Sequence, residues 1–276
     1  MAGKKKKRSG LSGSALLADD RRHILSADSN FFIREAYKTL RTNTMFALAG
    51  QEGCKIILVT SSLQGEGKSI SALNLAISFA EAENRVLLID CDLRRPKLAR
   101  LLRKSSRVGL SNLLLDPSLL GEVLIPGGVD RLDVILSGDI PPNPSELLGS
   151  ARMESLLAHL RKRYDYVILD TPPVNMVTDA VVLASKSDGV LFVVRAGQSE
   201  RGPVTHAVEQ LEYAQAKLLG FILDDVNGDG TRYGYGKYKY QYHKYSRYGY
   251  GRYGYGYGYS SRRNTPDSAQ TGDGPS

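Results

Sequence analysis

From Lys55 onward the sequence alternates between short apolar runs and longer segments with helical periodicity. The apolar runs are continuous, as expected of strands that are buried on both faces of a parallel sheet. They cover residues 55–60, 85–90, 132–138, 164–170, 189–197 and 218–227. The intervening segments, such as "SISALNLAISFAEAEN", predict helices. The chain is therefore predicted to form one α/β domain, with a mostly parallel sheet flanked by helices.

The two ends of the chain differ from this body in charge and composition. The formal net charge is +8, with five positive charges in residues 4–8 and eight Lys or Arg against two Asp from Thr231 onward, which leaves −3 for the remainder. Twelve of the sixteen tyrosines lie in residues 233–259, a stretch with no aliphatic residue. Because such a stretch has little to bury, we predict a basic flexible arm over 1–29, a folded domain over 30–230 and a disordered tyrosine-rich tail over 231–276.

Just before the first strand, "SNFFIREAYKTLRTNTMFAL" predicts a helix that begins at Ser29 or Asn30. Its apolar positions near helical spacing are Phe32, Ala36, Leu40 and Met45. No apolar run in the chain approaches the ~18–20 residues that span a bilayer. The basic start is not followed by the apolar region of a secretory signal, and two cysteines make no disulfide framework. We therefore expect a cytoplasmic protein.

The first strand leads directly into a glycine-rich loop and a helix. The pattern G-x-x-x-x-G-K-[ST] is present except that Ser62 replaces its first glycine. Glycines in such a loop let backbone N–H groups surround phosphate oxygens at a helix N-terminus, while the lysine reaches the β- and γ-phosphates and the serine binds Mg²⁺. Taken alone, the segment also fits an ordinary glycine-rich turn. The residues predicted to hold the nucleotide are Gly65, Glu66, Gly67, Lys68, Ser69 and Ile70.

Two further strands end in carboxylates. Asp90 and Asp92 lie two apart at the end of the second strand, and Asp170 ends the apolar run "YVILD". Ligands of parallel α/β sheets bind at the carboxyl ends of the strands, and a lone aspartate after such a run is the Walker B form that holds Mg²⁺. A loop that caps the next helix would explain Asp92 but explains Asp90 poorly. Together the three patterns predict a site for ATP and Mg²⁺.

"GEGKS", "LLIDCDLRRP" and "VILDTPP", followed by a C-terminal tyrosine cluster, resemble the bacterial tyrosine kinases. These are P-loop NTPase-like enzymes that act in exopolysaccharide and capsule production. The aliphatic-D-x-D-x-R motif of that family is matched at residues 88–94, and its D-x-P-P motif at residues 170–173. The segments 141–150 and 176–197 are also similar to family sequence, so the likeness covers roughly residues 30–260. It implies that the domain over 30–230 is a P-loop kinase domain.

The resemblance implies a role for each residue of the site. Lys68 would bind the γ-phosphate and Ser69 would bind Mg²⁺, together with Asp92 and Asp170. Asp90 would accept the proton of the attacking tyrosine hydroxyl, or orient that hydroxyl, and Arg94 would lie beside the phosphates. The acceptors would be tail tyrosines of the same protein, and the full set is Tyr233, Tyr235, Tyr238, Tyr240, Tyr242, Tyr245, Tyr248, Tyr250, Tyr253, Tyr255, Tyr257 and Tyr259.

The resemblance also implies partners. The family's oligomerisation helix, E-x-x-R-x-x-R, corresponds here to Glu35, Lys38 and Arg41, with a lysine in place of one arginine. A ring-like homo-oligomer is one interpretation of this helix, and an ordinary solvated charged face is the other. The chain is similar to the stand-alone form of the family, so we expect a membrane polysaccharide co-polymerase that activates it and recruits it to the inner face of the plasma membrane. A cognate tyrosine phosphatase is also expected, and the basic residues 4–8 could contact anionic lipid or remain solvated.

Two other functions compete with the kinase. A partitioning-type P-loop ATPase would use the same nucleotide site as a switch, but Ser62, Leu63 and Gln64 stand where that group has its K-G-G form. A nucleic-acid or self-association module would use the basic, aromatic tail, since aromatic rings stack on bases. We expect no specific nucleic acid.

The sequence departs from the family in its phosphate loop. The family's usual proline before G-E-G-K is replaced here by Gln64.

Overall fold

A computed structural model describes residues 21–225 of the chain. Its centre is a seven-stranded sheet with the strand order β3-β4-β2-β5-β1-β6-β7. The strands are β1 (Lys55–Ser61), β2 (Val86–Asp90), β3 (Ile125–Pro126), β4 (Leu132–Ile135), β5 (Tyr166–Asp170), β6 (Gly189–Arg195) and β7 (Leu218–Asp224). All pairings are parallel except the one between β3 and β4.

Helices connect the strands and cover the sheet. They are α1 (Phe31–Ala47), α2 (Lys68–Ala80), α3 (Leu98–Leu102), α4 (Leu110–Leu115), α5 (Leu120–Val123), α6 (Pro144–Gly149), α7 (Ala151–Leu160), α8 (Asp179–Ala184) and α9 (Arg201–Tyr213), with a short 3₁₀ turn at Pro117–Leu119. Within residues 21–225, no helix is long and apolar enough to cross a membrane.

The sheet separates two apolar layers. Along β1, Ile56 and Leu58 face a layer that includes residues of α7, α8 and α9, whereas Ile57 and Val59 face a layer built mainly on α2. Successive side chains of a strand point to opposite faces, so a strand with both faces buried has to be apolar throughout. This explains why the strand segments are continuous apolar runs.

The predicted α/β fold is confirmed, with differences at one side of the sheet. All six predicted strands are present, but β4 ends at Ile135 instead of continuing to residue 138. The chain turns there through Gly138, whose φ of 78° is left-handed and favours glycine. The antiparallel strand β3 was not predicted, because two residues carry no periodic signal.

The predicted helix α1 is present, and of its four apolar positions near helical spacing Leu40 packs on the body. Asn30 caps the helix, since its side chain accepts a hydrogen bond from the N–H of Phe32 at 2.8 Å. However, Phe32 and Met45 are exposed, and Ala36 is also on the outside. The side of α1 that packs on the body carries Leu40 together with Tyr37 and Thr44, of which Thr44 is buried.

The residues just before α1 pack against α2. The Asn74 side chain accepts from the N–H of Leu25 and donates to the carbonyl of His23, both at 2.8 Å. Leu25 is buried in the α2 layer. Residues 21–29 of the predicted arm therefore contact the folded body, while residues 1–20 and the predicted tail lie outside the described residues.

Asp188 connects several elements at the edge of the sheet where the parallel strands begin. Its carboxylate accepts from the N–H of Ile56 at 2.6 Å and pairs with Arg161 at 2.9 Å. Arg161 also donates to the carbonyl of Cys54 at 2.6 Å. Asp188 thus links the start of β1 to the end of α7 and the start of β6.

Replacing Asp188 with alanine should lower the free energy of unfolding by about 1–3 kcal/mol, because it removes charge-assisted hydrogen bonds at a partly buried position. Urea denaturation followed by circular dichroism would measure this loss. Asp130→Ala is the matched control, since the Asp130 side chain is fully exposed and should change stability by under about 0.5 kcal/mol. Equal effects of the two substitutions would contradict the assignment.

Candidate active site

The three predicted motifs meet at the carboxyl edge of the sheet. The strands that carry them, β2, β5 and β1, are neighbours in the strand order. In the register, Asp90 of β2 lies opposite Asp170 of β5, and Asp170 lies opposite Val59 of β1. The loop that follows β1 therefore begins beside Asp170, and Asp90 lies one strand farther along the same edge.

Two glycines shape the loop between β1 and α2. Gly65 and Gly67 have φ values of 89° and 93°, in the left-handed region that side chains disfavour. Gly67 is the N-cap of α2, and no side chain caps the helix there. The first-turn N–H groups are thus available to an anion, and the helix dipole favours one. Lys68 and Ser69, the first two residues of α2, are buried at this end.

Glu66 is predicted to contact the nucleotide, and its side chain braces the loop. Its carboxylate accepts from the Ser62 hydroxyl at 2.9 and 3.0 Å and from the N–H of Leu63 at 2.8 Å. The Ser199 hydroxyl, after β6, also donates to it. Glu66 is almost fully buried, so these bonds fix the loop from inside.

Two arginines hold the loop from outside. Arg195, at the end of β6, donates to the carbonyl of Gly65 at 2.8 Å and pairs with Asp225 at 3.0 Å. Arg95 donates to the Gln64 side chain at 3.0 Å. Gln64 therefore connects the phosphate loop to the segment after β2, a contact that the family's usual proline could not make.

The carboxylates of the site are buried together. Asp90 accepts from the N–H of Asp92 at 3.2 Å and from that of Leu98 at 3.1 Å. Burial, and next the charge of Asp170, raise the pKa of Asp90 well above its usual range. Burial likewise raises the pKa of Asp170, and Lys68 opposes that rise. Asp92 is also buried and accepts from the N–H of Arg95 at 2.9 Å.

The donor set at Asp170 fits Mg²⁺. Both carboxylate oxygens of Asp170 are buried without a hydrogen-bond partner in the described protein. Among residues 21–225, no three His, Cys, Asp or Glu side chains are arranged to chelate a metal by themselves. Mg²⁺ usually binds through one or two protein oxygens together with water and substrate phosphates. Asp170 with Ser69 or Asp92 therefore suits this ion when a nucleotide supplies the other oxygens.

Arg94 is bound to protein groups in the structure. Its Nε and Nη2 donate to the two oxygens of Asp179, at 2.9 and 3.1 Å, and Nη2 also donates to the Ser145 hydroxyl at 3.1 Å. Asp179 is fully buried at the start of α8, and Ser145 lies in α6. Arg94 thereby joins the end of β2 to both of the other segments that resemble family sequence.

The predicted oligomerisation residues lie on α1. Lys38 pairs with Glu35 at 2.7 Å, and Arg41 donates to the carbonyl of Ser78 in α2. Part of their hydrogen-bonding capacity is therefore used within the chain. All twelve predicted acceptor tyrosines lie beyond residue 225, outside the described residues.

Comparison with known proteins places the chain in a family. The AAA_31 family model, described as an AAA domain, matches residues 54–218. The tyrosine-protein kinase CpsD of Streptococcus agalactiae is 39% identical over 208 residues, which cover 74% of this chain and 90% of that protein. The kinase domain of Escherichia coli tyrosine kinase ETK is 36% identical with a TM-score of 0.67, and the match covers 74% of this chain and 80% of that one.

The chain belongs to the bacterial tyrosine kinases. A further solved relative, the chimerical protein CapA2B2, is 38% identical with a TM-score of 0.64 over 68% of this chain and 82% of that one. The family resemblance of the motifs is therefore confirmed, and with it the P-loop kinase fold.

Several residues of this kinase's site were not found from the sequence. Arg195 and Asp224 end β6 and β7, so their position at the carboxyl edge of the sheet was a usable signal. Ser199 and Asp179 carried no such signal, because they are far in sequence from their partners and only the fold brings them to the site. Asp224 is close enough to Gly67 that a Cβ atom built on Gly67 would lie 2.3 Å from its carboxylate.

Gly67→Ala should reduce ATP affinity at least tenfold more than Gly65→Ala. Both substitutions strain a left-handed position by about 1–2 kcal/mol, but only the one at Gly67 clashes with Asp224, whereas a Cβ at Gly65 makes an ordinary 3.6 Å contact with Gln198. Isothermal titration calorimetry would measure both affinities. Adding Asp224→Ala to Gly67→Ala should recover part of the lost ATP affinity. If the double variant binds ATP no better than Gly67→Ala, the clash with Asp224 is excluded as the cause.

Arg94→Ala should lower the free energy of unfolding by roughly 2–4 kcal/mol, because it leaves the buried Asp179 carboxylate without its charged partner. The matched control is Arg95→Ala, which removes one exposed hydrogen bond to Gln64 and should cost under about 1 kcal/mol. Denaturation of both variants would test this. If Arg94→Ala kept normal stability but lost kinase activity, a contact of Arg94 with the nucleotide phosphates would be favoured instead.

Proposed function

We propose that the chain is an ATP-dependent tyrosine autokinase that phosphorylates its own C-terminal tyrosine cluster in trans. The observation that carries this proposal is the position of Lys68 at the end of an uncapped helix and beside Asp170, with Asp90 opposite Asp170 in the register. An anion-binding helix end, a cation and buried carboxylates are the parts that phosphoryl transfer to a hydroxyl requires. Membership of the tyrosine kinase family supports tyrosine as the acceptor.

Each residue has a role in this reaction. Lys68 and the first-turn N–H groups of α2 hold and orient the terminal phosphates of ATP. The new bond joins the tyrosine oxygen to the γ-phosphorus while the bond to the bridging β,γ-oxygen breaks, and Asp90 accepts the proton of the tyrosine hydroxyl. A raised pKa makes the Asp90 carboxylate a stronger base towards the tyrosine hydroxyl. Ser69, Asp92 and Asp170 would hold Mg²⁺, which when bound neutralises charge on the phosphates.

The path of the chain supports the tail as substrate. Strand β7 ends at Asp224, beside Gly67, and Asp225 pairs with Arg195, which also binds the carbonyl of Gly65. The chain thus leaves the domain next to the phosphate loop, and Tyr233 follows eight residues later. A tethered substrate has a high effective concentration at such a site, including the site of an adjacent subunit.

Self-association is part of the proposal. The α1 side chains Phe31, Phe32 and Phe46 are 59%, 55% and 74% exposed, and exposed apolar groups on one helix favour a protein contact. With Glu35, Lys38 and Arg41 they would form the interface of a ring-like homo-oligomer. About four tail phosphates would cancel the tail's charge of +6 and further ones would reverse it, so phosphorylation would release the ring.

The cellular role that we propose is the regulation of exopolysaccharide or capsule synthesis or export. A membrane co-polymerase would recruit the kinase to the inner face of the plasma membrane and activate it, and a tyrosine phosphatase would reset it. The solved relative CapA2B2 is a chimerical protein, which supports the participation of a second protein in this role. A partitioning-type ATPase would give the tyrosine cluster no role, and a nucleic-acid module would give the nucleotide site none.

Incubation with Mg-ATP should add phosphate to tyrosines between residues 233 and 259, detected by mass spectrometry. To test transfer in trans, full-length Lys68→Met would serve as substrate for a chain whose twelve tail tyrosines are replaced by phenylalanine. We expect phosphate only on the Lys68→Met chain when the two are mixed, and at least a hundredfold less on Lys68→Met alone.

The activating segment of a membrane partner is supplied in every reaction of this experiment. Asp90→Asn should slow transfer strongly while leaving ATP affinity within a few fold, because the residue acts on the acceptor hydroxyl. ATP hydrolysis without any phosphotyrosine would favour the partitioning-type switch. Salt-sensitive binding of nucleic acid through the tail, without phosphotyrosine, would favour the nucleic-acid module.

A further inference from the structure

A concave, basic surface lies at the edge of the sheet opposite the nucleotide site. We call it the basal groove, and it is a cavity of ≈ 380 Å³ lined by Arg85, Arg131, Asp133, Lys162, Arg163 and Tyr164. These residues precede or begin β2, β4 and β5 or follow α7. A second cavity of ≈ 390 Å³ shares Arg85 and Tyr164 with it.

Most of the charge in the basal groove is available to a ligand. The side chains of Lys162 and Arg163 are exposed and make no hydrogen bond or ion pair with residues 21–225. Arg131 donates one N–H to the carbonyl of Glu83 at 3.0 Å, and its Nε lies 4.0 Å from the exposed Asp130 carboxylate. The Nη2 donors of Arg131 make no hydrogen bond with residues 21–225. Arg85 pairs with Asp165 through its Nε and Nη2, at 3.4 and 2.9 Å.

The groove suits a compact dianion more than an extended anionic surface. Its one carboxylate, Asp133, accepts from the Tyr164 hydroxyl at 2.7 Å. Around the rim, however, Asp130 is fully exposed and Asp165 is 40% exposed. A membrane of anionic lipids would meet these acidic groups together with the cations, whereas one phosphate group requires only the cations that line the cavity, Arg131, Lys162 and Arg163.

We propose that the basal groove binds phosphotyrosine of the tail segment 245–259. This rests on the proposed function, because that reaction would supply the ligand. The unmodified tail carries +6 from Thr231 onward and is repelled by the groove, whereas each phosphate adds about −1.5 to −2. Binding therefore depends on phosphorylation and holds the product tail away from the active site.

The length of the tail permits this contact. Twenty residues separate Asp225 from Tyr245, and an extended chain spans about 3.3 Å per residue, or about 66 Å. The strands between the two edges of the sheet have five to seven residues, about 17–23 Å. The segment can thus reach the groove of its own chain or of an adjacent copy.

The test uses a fluorescent synthetic peptide of residues 245–259 with phosphorylated tyrosines, titrated with the full-length protein in the absence of ATP. Fluorescence anisotropy should show at least tenfold tighter binding than for the unphosphorylated peptide, and the difference should shrink as salt is added. Because the phosphates are made synthetically, the outcome does not depend on the kinase activity of the chain.

The double variant Arg131→Glu, Lys162→Glu should weaken phosphopeptide binding at least tenfold. Its matched control, Arg107→Glu, Arg201→Glu, makes the same charge change at exposed positions near the opposite edge and should weaken binding less than threefold. Circular dichroism confirms that each variant is folded. Arg163→Ala, which removes an exposed side chain without reversing a charge, should weaken binding by a smaller factor.

Three results would overturn the proposal. Equal weakening by both double variants would mean an unspecific charge effect. Loss of binding in Lys68→Met, with the groove variant unaffected, would place the phosphopeptide in the active site. Retained phosphopeptide binding by the groove variant, with loss of its sedimentation with phosphatidylserine vesicles, would assign the groove to the membrane.

Discussion

Asp90 and Asp170 end neighbouring strands and lie opposite each other in the register. Both are fully buried, so water solvates neither carboxylate and each raises the cost of ionising the other. Backbone N–H groups stabilise Asp90, whereas the oxygens of Asp170 have no hydrogen-bond partner in the described protein. The buried lysine at the start of α2 and the uncapped helix end supply positive potential beside this pair.

The groups around these carboxylates bond to other protein groups and thereby determine the shape of the site. Glu66 ties the phosphate loop to the segment after β6, and Arg195 ties it to the end of β7. Arg94 of the D-x-D-x-R motif bonds to Asp179, and the next residue, Arg95, bonds to Gln64. A planar guanidinium forms two directed bonds at once, so each arginine fixes one loop against another.

Much of the site could be predicted because its signals are local. The phosphate loop, Asp90 and Asp170 each follow an apolar run, and the parallel topology brings their strand ends to one edge. Helical spacing predicted α1 but not which side of it packs on the body, because Phe32 and Met45 carry the same signal whether they are buried or exposed. Ser199 and Asp179 could not be found, since their partners lie 133 and 85 residues away.

The sequence by itself determined the alternation of strands and helices along the chain, the phosphate loop and the family. Periodicity and contiguous motifs are properties of neighbouring residues, and all three depend on them. Only the tertiary structure decided that Glu66 braces the loop, that Arg94 serves the buried Asp179, and that Arg131, Lys162 and Arg163 share one cavity. Those contacts depend on which strand ends and helix ends come together, and no local pattern records the direction of a long side chain across such a distance.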